Sequence, residues 1–195
     1  MERKPERYMV IDIETAPNDH MRYSALPEEE KTNLLNPIDS RVVAIGVRHL
    51  EKDLIFDDAD EKELLERFWD KWREITGGDK HYGIVGFNIK NFDLPFIVNR
   101  SFIHGVTIQP FTIKPVIDIR EKVNAYKYGK TRGKLKEYAA MLGLPVMDVD
   151  GSDVADLHYG GERDKIAEYL RNDLLITDSL YQRLVETKIV FIDRW

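Results

Sequence analysis

The chain has 195 residues, 43% hydrophobic and 33% charged, with a formal net charge of −6. That balance excludes a disordered chain, and the length suits one domain with a sizeable core. The absence of cysteine excludes disulfides, thiolate nucleophiles and Cys-type zinc sites. Any bound metal must therefore be held by oxygen or imidazole, which favours hard cations such as magnesium or manganese. No apolar run approaches the ~18–20 residues of a membrane helix. Residues 1–7 have no signal-peptide core, so a soluble, cytoplasmic protein with one domain spanning 1–195 is expected.

Residues 8–14 read as a buried strand. A polar stretch rich in Pro and Asn follows, then a second strand over 41–48 and, after a turn at 51–53, a short third strand around 54–56. Asp60 has the position of an N-cap, with Glu63 completing a capping box. The helix it opens puts Leu64, Leu65, Phe68, Trp69, Trp72 and Ile75 on one side and stops at Gly77-Gly78. A strand over 83–87 leads to a helix beginning near Pro95, and 116–119 is a last strand. The remainder reads as helix over 134–141 and 163–185. Three strands able to pair as hairpins, followed by strand–helix alternation, indicate an α/β mixed sheet with helices on its faces.

Charge is unevenly spread along this framework. Residues 120–136 hold seven basic side chains and one acid, Glu121, in an otherwise acidic chain. Lys127, Tyr128, Lys130 and Arg132 interleave cations, aromatics and glycines there, a composition suited to single-strand contacts and equally to a solvated loop.

Three segments place acids where burial is expected. Asp12 and Glu14, two apart on an apolar strand, project from the same face, where like charges repel unless a cation intervenes. Alone, Asp-x-Glu also suits a strand end entering a polar loop. Asn88 and Asp93 follow a strand at its C-terminal end, where open α/β sheets gather functional groups. Asp93 before Leu94-Pro95 equally suits an N-cap. In the final helix Ile166, Tyr169, Leu170, Thr177, Leu180 and Leu184 fall within about 60° of Asp173 at ~100° per residue. That places Asp173 in the apolar stripe, where it requires a cation, a set of donors or a raised pKa.

In this order the segments resemble the motifs of the DnaQ-like 3′–5′ exonucleases, which have an RNase H-like fold. The resemblance is closest to the exonuclease domains of B-family DNA polymerases and their stand-alone predicted relatives. Asp12-Ile13-Glu14-Thr15 resembles the first motif, Asn88-x-x-x-Phe92-Asp93-x-Pro95 the second, and Tyr169-x-x-x-Asp173 the third in its tyrosine form. The histidine form would need His where Glu168 stands. The segment from Lys134 through Leu144-Pro145 to Asp150-Gly151-Ser152 is similar to the stretch preceding the third motif in the stand-alone relatives. The 195 residues hold no polymerase domain, so proofreading within this chain is not expected.

The resemblance implies that Asp12, Glu14, Asp93 and Asp173 bind two divalent cations, Mg2+ or Mn2+, ~3.5–4 Å apart. It implies that Tyr169 positions or deprotonates the attacking water. Thr15, Asn88 and Phe92 would lie near the terminal nucleotide, with Phe92 equally suited to ordinary packing. The implied partner is a nucleic-acid 3′ end, single-stranded and DNA rather than RNA, with a replication or repair protein as a further partner and no membrane. The alternatives are an exoribonuclease trimming RNA 3′ ends and a catalytically idle nucleic-acid- or partner-binding module of the same fold.

Overall fold

A computed structural model of the protein describes residues 7–123 and 133–192. Lys127, Tyr128, Lys130 and Arg132, read above as substrate contacts, lie outside the described residues. The elements in chain order are β1 (Tyr8–Pro17), α1 (His20–Ala25), α2 (Glu28–Lys31), β2 (Ser40–His49), β3 (Lys52–Asp57), α3 (Glu61–Thr76) and β4 (Gly83–Gly86). They continue as α4 (Asp93–His104), β5 (Val116–Asp118), α5 (Ile119–Val123), α6 (Leu135–Met141), α7 (Val154–Tyr159) and α8 (Arg163–Glu186).

The five strands form one sheet in the order β3-β2-β1-β4-β5. β1 and β3 run antiparallel to β2, whereas β4 and β5 are parallel to β1, so the expected mixed sheet is present. Alternation along β1 divides its side chains between two layers. Met9, Ile11 and Ile13 pack with Trp69 and Trp72 of α3 and Leu94 and Phe96 of α4. Val10 and Ala16 face the other way, into clusters that contain Leu174, Leu180, Ile166 and Leu170 of α8. Asp12 and Glu14 share this second face.

Local chemistry explains most boundaries. Asp60 caps α3 by accepting from Lys62 N–H (2.7 Å), and Gly77 ends it in the left-handed conformation. The turn into β3 falls at Leu50–Glu51, earlier than expected, with both residues at positive φ. Asp93 is not the N-cap of α4: Phe92 holds that position without a side-chain cap, and Asp93 opens the first turn. The last strand stops at Asp118, because the Asp118 carboxylate accepts from Arg120 and Glu121 N–H and starts α5 at Ile119. Helices α1, α2 and α7 are short pieces in segments whose sequence shows no helical period. No helix among the described residues is long and apolar enough to cross a membrane.

Candidate active site

The site lies where β1 outruns its parallel neighbour. The β1–β4 pairing ends at Val10–Val85, while β1 continues to Pro17 against β2. Between Glu14 and Thr15 the β1–β2 register shifts, from Ala44 to Val42, leaving Val43 as the extra residue of a bulge. Bulges strengthen local twist and re-aim side chains. Asp12 and Glu14 project here beneath α8, and Asp173 comes down from the middle of that helix. One carboxylate oxygen from each of Asp12, Glu14 and Asp173 lies within 4.8 Å of the others. Glu14 is 7% and Asp173 5% exposed, so water does little to screen the repulsion.

Asp93 enters from the other side and is 3% exposed. Its Oδ1 accepts from the Ile13 backbone N–H (3.1 Å), a donor beyond the end of the β1–β4 ladder. The Asp93 carboxyl is also within hydrogen-bonding reach of Asp12. The structure thus gathers three of the four acids around one point and sets the fourth beside them.

The loop that delivers Asp93 is held by a residue without an assigned role in the sequence reading. Asp118, 1% exposed, accepts from Asn88 N–H (2.9 Å) and Lys90 N–H (3.2 Å), as well as from the two N–H groups of α5. The clasp fixes Asn88 in the left-handed region, at φ 64. Asp118→Ala is expected to lower unfolding free energy by about 2 kcal/mol, since hydrogen bonds to a charged group contribute ~1.5–3 kcal/mol each and some freed donors would reach water. Urea melts measure it, and an unchanged midpoint would show that the clasp contributes nothing.

Burial and crowding act together on the four carboxyls. Burial, then Asp93, Glu14 and Asp173, push Asp12 well above the usual carboxylate range. Burial and then Asp173 and Asp93 do the same to Glu14. Asp93 is pushed up to about 7 by burial, against the opposing pull of its own and the Ile13 N–H groups. Asp173 is pushed up to about 6, again by burial, despite the opposing pull of the Tyr169 hydroxyl and the Lys136 ammonium. The Asp173 Oδ1 atom is buried with no hydrogen-bond partner among the described residues. Such an atom in a carboxylate trio fits a hard cation, which would supply both the missing ligand and the missing charge. The residues therefore fit a divalent metal.

Tyr169 stands over this group. Burial, followed by Glu14, Asp173 and Asp12, raises its pKa and holds the phenol neutral. The Lys136 ammonium sits 5.0 Å from the Tyr169 ring centroid and ion-pairs Asp150 at 3.6 Å. Its charge lowers the pKa of both Glu14 and Asp173. In the sequence Lys136 belongs to the basic stretch and to the segment similar to that preceding the third motif, and nothing local places α6 over the site.

Of the expected nucleotide contacts, Thr15 is buried at the bulge. Asn88 is half-buried at the mouth of the loop. Phe92 packs against the core beside Phe96, with ring centroids 5.4 Å apart.

The fold is RNase H-like, a mixed five-stranded sheet flanked by helices, here with an acidic cluster at the sheet centre. It is shared with the family B DNA polymerase of the hyperthermophilic archaeon Pyrobaculum calidifontis, at a TM-score of 0.71 and 18% identity over 95% of this chain. The chain spans 25% of that polymerase. The family model for predicted 3′–5′ exonucleases related to the exonuclease domain of PolB matches residues 38–126 and 112–191. An uncharacterized protein of Methanocaldococcus jannaschii is 36% identical over 171 residues, covering 82% of this chain and 94% of its own. The chain belongs to this family of predicted PolB-related exonucleases.

Proposed function

We propose that the protein is a metal-dependent 3′–5′ exonuclease that hydrolyses the terminal phosphodiester of a nucleic-acid strand, with single-stranded DNA as substrate. The observation that carries this reading is the buried convergence of Asp12, Glu14 and Asp173, with an orphaned oxygen and Asp93 alongside. A domain without a cation-binding task would have no physical reason to bury these acids together. Bound cations, two Mg2+ or Mn2+ ions, supply Lewis-acid stabilisation of charge at the scissile phosphate and lower the pKa of water.

The chain's own residues do the rest. Asp12, Glu14, Asp93 and Asp173 hold the cations. Tyr169, kept neutral by its surroundings, serves as a hydrogen-bond donor that orients the attacking water rather than as its base. Lys136 faces the same space and offers a cation to the phosphate. Asn88 and Phe92 border the place of the terminal nucleotide.

Lys136→Met is expected to tighten Mn2+ binding by severalfold, because it removes a positive charge beside two ligands, while raising KM for the strand. Calorimetry with Mn2+ alone and steady-state kinetics separate the two effects. Weaker metal binding together with unchanged KM would contradict this role.

The defining assay uses 5′-labelled single-stranded DNA and RNA of one sequence, with magnesium, manganese or EDTA. A metal-dependent ladder shortening from the 3′ end is expected on DNA. Cleavage of RNA alone would make the protein an exoribonuclease, and no cleavage of either despite bound metal would make it a binding module.

A further inference from the structure

We infer that Gly46 is a positioning residue of the metal centre, setting the depth at which α8 docks and hence the spacing of Asp173 from Asp12 and Glu14. The inference rests on the metal-centre reading above and deepens it.

Gly46 pairs with Asp12 across the β1–β2 ladder, so it forms the floor beside the first metal ligand. A Cβ at this position would lie 2.8 Å from Leu170 Cγ and 2.8 Å from Leu174 Cδ1. These two leucines flank Asp173 on the inward face of α8, and both are fully buried. The glycine is thus the contact through which the helix segment bearing Asp173 rests on the sheet.

The magnitudes decide what an added methyl would do. Carbon atoms pack at ~3.5–4.0 Å, so each leucine would have to retreat by about 0.7 Å or more. Leu170 Cγ sits close to the helix backbone and cannot swing clear as a side-chain tip would. With both leucines enclosed, the helix itself must lift. Ligand constellations tolerate only about 0.5 Å of displacement. The lift therefore exceeds what the carboxylate trio can absorb, while the hydrophobic layer needs only to repack.

The test is Mn2+ binding to the full chain, read by calorimetry with the metal alone, in Gly46→Ala and Val47→Ala. Val47 is the next residue of β2 and packs into the opposite layer, so its truncation weakens the fold without touching α8. Gly46→Ala is expected to bind Mn2+ at least about tenfold more weakly, a loss comparable to that from disturbing the support of a metal ligand. Val47→Ala is expected to bind as the wild type does.

Should Gly46→Ala not fold, Gly46→Ala with Leu174→Ala carries the test. It is expected to fold but to bind about tenfold more weakly than Leu174→Ala alone, because Leu170 Cγ still meets the methyl. Equal affinity in either comparison, or equal weakening in Gly46→Ala and Val47→Ala, would overturn the assignment. A wild type that binds no Mn2+ would instead remove the metal-centre reading itself.

Discussion

Asp12→Ala is expected to reduce metal-dependent cleavage by at least about 10³-fold, since metal assistance contributes several kcal/mol of transition-state stabilisation. The same substitution is expected to raise the melting temperature of the metal-free protein at neutral pH. Asp12 lies in the acidic cluster rather than in the apolar layers, so little core volume is lost, and its carboxyl is crowded by Asp93, Glu14 and Asp173. Removing it relieves repulsion that no side chain of the site fully offsets. Paired activity ladders and EDTA melts check both halves. Lost activity with a lowered melting temperature would mean that Asp12 serves the fold, and near-normal turnover would dismiss it as a ligand. Asp12→Asn, which keeps the shape and removes the charge, should behave as the alanine variant does.

The second large effect is the response of stability to pH and metal. Burial pushes Asp93 up to about 7 and Asp173 up to about 6 in the folded protein, against 3.8 ordinarily. A carboxyl with a raised folded pKa binds its proton more tightly in the native state. The stabilisation that protonation brings is complete below about pH 4 and is lost as pH climbs through 6 to 7. The metal-free melting temperature should therefore fall as pH rises from about 4 to 7, and Asp12 and Glu14, whose carboxyl pKa values are also raised, add to that fall. At neutral pH, Mn2+ at ~100 times its Kd adds about 2.7 kcal/mol, or roughly 5–10 °C for a domain of this size. Melts with Mn2+ or EDTA across that range test it. A flat EDTA profile, or no Mn2+ shift at pH 7.5, would argue against a preformed site.

The two clearest functional signals in the sequence were departures from pattern. Asp12 and Glu14 break an apolar strand, and Asp173 breaks an apolar helical stripe. Period arguments alone put the first pair on one face and the last residue toward the core, where the structure has them. Asp118 is a third such departure, an acid in the apolar run Val116-Ile117-Asp118-Ile119, and its role as a clasp appears only in the tertiary structure. Asp93 went the other way. Its place before Leu94-Pro95 suited an N-cap, and only the end of the β1–β4 ladder supplied the donor that claims its carboxylate, Ile13 N–H.

The sequence by itself determined the α/β class, the main strands and long helices and the buried stripes, because these follow from local periodicity and composition, whereas the grouping of the four acids came from the order of the motifs they resemble. Tertiary structure alone decided what those acids do to one another. The convergence of the three carboxylate oxygens, the raised pKa values, the Lys136 ammonium over Tyr169, the Asp118 clasp and the close approach at Gly46 all join residues far apart in the chain. Such contacts depend on how strands splay and how deeply a helix docks, and no periodicity within one segment encodes either.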